Sequence, residues 1–364
     1  MGYTVTFGEI MTRHRMPGHR RIRQALPGLV DVTFSGAESN VAALLSMLGT
    51  PVRFVTALPR NPMADACMAF LKGFDLDLSQ IVRTDQGRLG AYYIEMGASQ
   101  RPCRVFYDRE GSAIAHCEPE AYDWDAIFHG ADRLHLTGIT PALSAAAARS
   151  AITAVTRARA AGLTVSCDLN FRSTLWNWEP GTDPRQLARR TMSEILPHVH
   201  LLIANEEDAH DVLGIGSGST RFDRGVLDID HYPSVAQQIA AQFPNIDEIA
   251  ITLRESISAS HNRWGAMHYD THSTDVTFAP LQDGVYSPYE ITPIVDRVGA
   301  GDSFGAALIF AGLDPELQVS TATRMAFATA ASALCHTIDG DFDLITRDEV
   351  QELMNGNGAG RVRR

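Results

Sequence analysis

The sequence predicts an α/β fold: a mostly parallel sheet with helices on both faces and a small β-stranded piece beside it. Three observations carry this. Strand-like and helix-like segments alternate through most of the 364 residues, the pattern of a parallel sheet whose crossovers are helices. The alternation breaks between Leu89 and Ala115, where two strand-like runs, 91–96 and 104–107, flank a turn-forming segment, 97–102, as in a hairpin. Near the C-terminal end, Gly299-Ala300-Gly301-Asp302 runs directly into an apolar helical segment, 306–311, so a glycine turn opens onto a helix N-terminus.

The elements follow in order. Residues 3–8 form a short strand. Segment 13–28 is strongly basic and reads as a solvated loop or an edge strand guarded by charge. Residues 30–34 return to strand. Val41, Leu44, Leu45 and Leu48 have the spacing of an amphipathic helix after Gly36-Ala37-Glu38-Ser39-Asn40. A strand at 52–58 precedes a helix capped by Asn61 with Pro62 in its first turn. Beyond the hairpin come strand 132–137, helix 142–161, strand 163–168, helix 184–196, strand 199–204, a helix over about 206–213, helix 233–243 and strand 247–253. Segment 264–280 reads as two edge strands, followed by helices at 316–335 and 346–354. Segment 214–232, with its Gly214–Gly218 run, reads as an exposed loop, and 355–364 as a disordered tail. The core is therefore residues 1–12, 35–88 and 116–354, and the small β piece is 13–34 and 89–115.

The bulk numbers exclude several classes. A net charge of −12, from 31 basic and 43 acidic residues, argues against a nucleic-acid surface, which needs clustered Lys and Arg. No apolar run approaches the roughly 18 residues of a membrane span. The five cysteines are odd in number and contain no Cys-x-x-Cys, which suits buried thiols in a reducing cytoplasm, and residues 1–8 read as a first strand, not as a signal peptide. His268 and His272 have a His-x-x-x-His spacing, but in a strand four residues span roughly 13 Å, too far for two ligands of one metal.

In a parallel sheet, ligands bind at the carboxyl ends of the strands. Four loops lie there: 36–40, 170–172, 205–208 and 299–302. The last combines an anion cradle with a carboxylate. Asp302 at such a mouth is either a cap or a base. The pairing suits phosphoryl transfer, in which fixed donors hold the phosphoryl oxygens and a base receives the hydroxyl proton. No Gly-x-x-x-x-Gly-Lys-Ser/Thr loop and no protein-kinase signature set is present.

Gly299-Ala300-Gly301-Asp302 with Asp296 upstream resembles the signature of the ribokinase-like (PfkB) carbohydrate kinases, and Gly36–Asn40 with its helix resembles that family's other signature, over roughly residues 3–350. Stretches 104–113, 134–139 and 168–176 most resemble 2-keto-3-deoxygluconate kinases. The resemblance implies a ribokinase-like fold whose 13–34 and 89–115 segments form a β lid that covers the sugar and mediates dimerisation. It implies contacts with an acidic sugar by Gly36, Asn40, Tyr92, Tyr107, Arg109, Arg172, Asp296 and Asp302, with Arg109 and Arg172 suited to bidentate recognition of a carboxylate. It implies ATP contacts by Asn205, Thr252, Arg254, Gly299 and Gly301, catalysis by Asp302 with the 299–301 amides, and Mg²⁺; a monovalent cation is left open.

Three departures stand out. The Asn-x-x-Glu motif ends here in Asp208, with Glu207 beside it, so the organisation of Mg²⁺ is expected to be indirect. The usual glycine-containing nucleotide loop is replaced by 252–260. Asp108 stands where a second Tyr is common and is expected to face outward. The leading expectation is an ATP-dependent kinase of 2-keto-3-deoxygluconate. The alternatives are a kinase for fructose or a related keto-deoxy sugar, and a non-catalytic sugar-sensing protein on the same fold.

Overall fold

The computed structural model describes residues 2–215 and 229–356. Most of the expected 214–232 loop, with most of its glycine run, and the tail beyond 356 lie outside the described residues.

The main sheet runs in the order Val276–Ala279, His261–Asp270, Glu248–Ser258, Leu201–Asn205, Thr164–Asp168, Ala131–Thr137, Tyr3–Phe7, Val52–Val55. From Glu248–Ser258 to Val52–Val55 every pairing is parallel. Period-two alternation sends neighbouring residues to opposite faces. Leu202, Ala204, Ile249 and Ile251 pack with helices Ala145–Ala160, Pro184–Ile195 and Tyr232–Gln242. Ile203 and Ala250 pack with helices Ala37–Met47, Ala300–Leu313 and Thr321–Cys335. Each face is thus closed by helices, and a fully buried Leu, Ile or Val contributes about 1.5–3 kcal/mol.

Helix starts follow local chemistry. Asn61 accepts from the Ala64 N–H at 2.9 Å, Ser144 from Ala147 at 3.0 Å, and Asp183 from Arg185 and Gln186, as expected of N-caps. Helix Ala300–Leu313 is buried on nearly every side from Ser303 to Ala311, which makes its first turn a rigid platform.

A separate four-stranded sheet has the order Asp31–Ser35, Met11–Arg15, Gly90–Glu95, Arg104–Asp108. The middle pair is parallel and the outer pairs are antiparallel. Asp108 is exposed and paired with Arg88.

Three segments differ from the sequence reading. Segment 252–260 is no loop: strand Glu248–Ser258 continues antiparallel to His261–Asp270 as a long hairpin, because Arg254 to Ser258 pair with 261–264. His261–Asp270 is an inner strand, since Val276–Ala279 and Tyr289–Ile291 both pair with it. Its His268 bonds Glu248, while His272 bonds Asp247. The helix after Asn205 covers only Glu206–Asp208 before widening into a π turn at Ala209–Leu213. Gly214 (φ +70°) ends that turn in the left-handed region.

Candidate active site

All four sheet-end loops line one cavity of about 830 Å³, and the four-stranded sheet covers it with Met11, Tyr92, Ile94, Val105 and Tyr107. Long sequence separations converge here: Asn40 Nδ2 donates to Asp302 Oδ2 at 2.7 Å across 262 residues.

The turn is set by Gly299, whose φ of +88° lies in the left-handed region and suits a residue without Cβ. Ala300, Gly301 and Asp302 then form the first helical turn, whose N–H groups lack intrahelical partners and point to the ligand side. Ser332 Oγ donates to the Ala300 carbonyl at 2.6 Å and holds the turn from behind. Burial, then the Asp341 and Glu38 carboxylates, push the Asp302 carboxyl up to about 7, against the Asn40 hydrogen bond and Arg172. A base poised near neutrality suits proton transfer at physiological pH.

Two more carboxylates face the turn. Burial, then Asp208 and Asp302, hold Asp168 well above the carboxylate range. Asp208 is pushed up to about 6, chiefly by burial. Asp208 accepts the Phe171 N–H at 3.0 Å, and its own N–H donates to Asn205 Oδ1 at 2.8 Å, so Asn205 also caps the short helix. Among the described residues no group of three His, Cys, Asp or Glu side chains could hold a metal directly. Buried Asp208 shares the cavity wall with the 299–302 turn, and a single carboxylate there suits an indirect, water-mediated hold on a divalent cation. Arg172 is exposed and lies near Asp168, Asp208 and Asp302, so its charge faces this group of buried carboxylates.

On the opposite side, the structure differs from the expectation for Arg109. Its Nε donates to Glu9 Oε2 at 2.7 Å and its Nη2 reaches the same oxygen. Both residues line the cavity and are buried. The guanidinium charge is therefore already opposed by a carboxylate of the protein, while Glu9 Oε1 is buried without a hydrogen bond. Tyr92 is buried and donates to Asp341 Oδ2 at 2.7 Å. Tyr107 is half-exposed over the cavity, with the Arg109 guanidinium 5.3 Å from its ring centre. Gly36 lines the cavity, and a Cβ there would overlap the Glu9 carbonyl. Thr252 and Arg254 line the cavity from the hairpin strand, Arg254 exposed.

Asp296 does not lie on the cavity wall. It is fully buried beneath the turn, where Oδ1 accepts the Arg297 and Val298 N–H groups at 2.8 and 3.2 Å and Oδ2 pairs with Arg13. Its oxygens are taken by the turn itself, so it shapes the backbone and does not reach a ligand. Arg13, expected to be solvated, is 1% exposed and lies between Asp296 and Asp341. Two buried carboxylates compensate the charge that would otherwise keep it at the surface.

The residues that sequence reasoning missed are Glu9, Arg13, Glu38, Asp168 and Asp341. Glu38 had a visible signal, since it lies within the 36–40 motif. Buried, it accepts from the Thr137 N–H and from the Thr137 and Thr140 hydroxyls, which pins the 36–40 loop to the end of strand Ala131–Thr137. Asp168 lay at the end of a predicted strand, where a ligand-facing carboxylate is common. Arg13 and Asp341 had no local signal, because the side chains that explain them lie 249 or more residues away.

Comparisons with known proteins bear on the family and the fold. The pattern of the pfkB family carbohydrate kinase matches residues 1–342. A 2-dehydro-3-deoxygalactonokinase from Haloferax volcanii is 31% identical over 357 residues, covering 98% of either chain. The crystal structure of a 2-dehydro-3-deoxygluconokinase from Thermotoga maritima superposes with a TM-score of 0.87 at 40% identity, covering 98% of this chain and 100% of that one. A chain from E. coli solved in complex with ATP and Mg²⁺ shares the fold at 17% identity, with a TM-score of 0.74 over 98% of this chain and 100% of that one.

Proposed function

The chain belongs to the pfkB family of carbohydrate kinases, and from that premise we propose that it transfers the γ-phosphoryl group of ATP to the terminal hydroxyl of 2-keto-3-deoxygluconate or its galactonate epimer. The observation that carries the reading is the meeting of Asn40, in the expected sugar loop, with Asp302 in the anion turn. A hydroxyl held beside Asn40 would lie next to both a base and a phosphate cradle. The acidic-sugar assignment is supported by two relatives of 31% and 40% identity, named as a 2-dehydro-3-deoxygalactonokinase and a 2-dehydro-3-deoxygluconokinase.

In this reading Asp302 takes the hydroxyl proton and the amides of the 299–301 turn hold the phosphoryl oxygens. Mg²⁺, when bound, neutralises charge on the transferred group. Asp208, and Glu207 at the cavity edge, orient its water shell. Thr252, Arg254 and Asn205 flank the nucleotide. Glu9 Oε1, a buried acceptor without a partner, receives a sugar hydroxyl, Arg109, already opposed by Glu9, contacts the sugar on that side, and Arg172 orients the acid group. The four-stranded sheet serves as the sugar lid. Its exposed Val32 and Phe106 lie in one cross-strand row with His14 and Tyr93 on the face turned away from the cavity, apolar surface that a second copy covers. All five cysteines are free, and among the described residues no helix is long and apolar enough to cross a membrane; we place the enzyme in the cytoplasm.

A second reading, a kinase for a neutral sugar such as fructose, is favoured by one observation: Glu9 already opposes the charge of Arg109. A coupled ADP-release assay across acid and neutral sugars separates them. The acid sugar is expected to lead by about 10²-fold or more in kcat/KM, and Arg172→Met to lower that value by about 10–100-fold. Preference for fructose would reject the acid-sugar reading, and absence of ADP release with every sugar of the panel would leave only a sugar-sensing role. Repeating the assay with K⁺ exchanged for a bulky organic cation tests the monovalent-cation requirement.

A further inference from the structure

The hairpin that replaces the family's glycine loop reaches a second destination. Strand Glu248–Ser258 continues past Thr252, the last residue it pairs with Leu201–Asn205. At its tip the Ala259 N–H donates to the Ser99 carbonyl at 2.8 Å, and the Ser99 N–H donates to Ser260 Oγ at 3.1 Å. Ser99 belongs to the turn joining the two lid strands Gly90–Glu95 and Arg104–Asp108. Its φ is +51°, a left-handed conformation that costs a residue with a Cβ about 1–2 kcal/mol, so the hairpin tip holds the lid turn in a shape it would not choose alone.

The same tip is gripped from the other side. Arg297 Nη2 donates to the Ser258 and Ala259 carbonyls at 3.0 and 3.3 Å and to Asn262 Oδ1 at 3.2 Å. Arg297 sits two residues before Gly299 and directly after Asp296, the residue that Arg13 of the lid engages. The lid is thus tethered at two places, its base through Arg13 to Asp296 and its far turn through Ser99, the hairpin tip and Arg297. The two tethers end on adjacent residues of the phosphoryl-transfer turn. At the base, Arg13 and Tyr92 also engage Asp341 and Arg15 pairs with Asp339; the far turn is held to the core through the hairpin tip.

We propose that Arg297 is a positioning residue that registers the sugar lid against the Gly299–Asp302 turn through the tip of the 248–270 hairpin, so that sugar enclosure and phosphoryl transfer are geometrically coupled. The inference rests on reading the four-stranded sheet as the lid and the turn as the transfer centre. It assigns the altered 252–260 segment a task besides lining the nucleotide site.

The test compares Arg297→Met, Arg297→Lys and Ala259→Pro in the full-length protein, measuring sugar KM, ATP KM and the ratio of sugar phosphate formed to ADP released. Ala259→Pro removes the N–H given to Ser99 and does not change charge or touch the cavity wall. Arg297→Met and Ala259→Pro are expected to raise sugar KM about tenfold and to release ADP without matching sugar phosphate, with ATP KM changed less than about twofold and Arg297→Lys intermediate. If Arg297→Met raises ATP KM while Ala259→Pro is silent, Arg297 acts on the nucleotide and the inference is wrong; silence of both variants also overturns it. Ser260→Ala, which removes only the hydroxyl that receives the Ser99 N–H, gives the same direction of effect should the proline variant melt early. Wild-type protein that releases no ADP with any sugar would reject the kinase reading itself, whereas normal wild-type turnover with silent variants rejects only the coupling.

Discussion

Asp302→Asn is expected to fold, to retain sugar binding and to lower kcat by about 10²–10⁴-fold, the range for losing a general base. Asparagine is nearly the same size, and its amide oxygen can still accept the Asn40 N–H that now reaches Asp302 Oδ2 at 2.7 Å. What is lost is the proton acceptor. The wild-type pH profile supplies the independent signature. With the Asp302 carboxyl pushed up to about 7 by burial and by Asp341 and Glu38, the active, deprotonated form diminishes as pH falls through 7. Below that point kcat/KM is expected to drop tenfold per pH unit. The asparagine variant is expected to lose this acid limb together with its rate. Stability moves the other way. A carboxyl whose folded pKa lies above its unfolded value makes the native state bind protons more tightly than the unfolded chain, so its ionisation destabilises the fold as pH rises from about 4 to 7. Removing the ionisable group should therefore raise the melting temperature at pH 8. Full activity in the variant, or an unchanged acid limb, would remove Asp302 as the base.

The parallel sheet, its helices and the Gly299–Asp302 turn were legible because each rests on local chemistry: alternating apolar residues, a cap at Asn61, and glycines where a helix begins. The convergence of four loops on one cavity also followed, since strand polarity alone puts them at the same end. The failures have one physical cause. Arg13 and Asp296 look like a solvated charge and a ligand-binding acid when read singly, and only their pairing with each other and with Asp341 buries them. Arg109 looks like a free sugar-facing guanidinium until Glu9, one hundred residues earlier, is found against it. The hairpin at 248–270 was hidden for another reason. The alternation of Ile249, Ile251 and Leu253 ends where the expected strand ended, and Arg254 to Ser258 bury no apolar side chain, so their strand rests on pairing with 261–264.

Gly299→Ala should be a severely damaging single-methyl change, since it combines backbone strain with a clash. An alanine at φ +88° costs about 1–2 kcal/mol in backbone strain, and its Cβ would stand 2.5 Å from the Asp341 carbonyl oxygen. Neither side can yield cheaply. Asp341 is held by Arg13, Ser35 and Tyr92, and the helix beyond Ala300 is buried on almost all sides. The turn itself must then move, and it carries the amides that receive the phosphoryl oxygens. A displacement near 1 Å costs about 10²-fold in rate, so kcat should fall by that order along with a lower melting temperature. Gly301→Ala separates the two effects. No atom lies within 4 Å of a Cβ placed on Gly301, and the residue has an ordinary helical φ, where alanine is a better helix former than glycine. Its melting temperature should hold or rise. That open space, however, lies on the cavity wall where a phosphate would approach the helix N-terminus, so ATP KM should rise. If Gly301→Ala leaves ATP KM unchanged, the open side of this turn is not where the nucleotide phosphates sit, and the cradle must be sought elsewhere in the cavity.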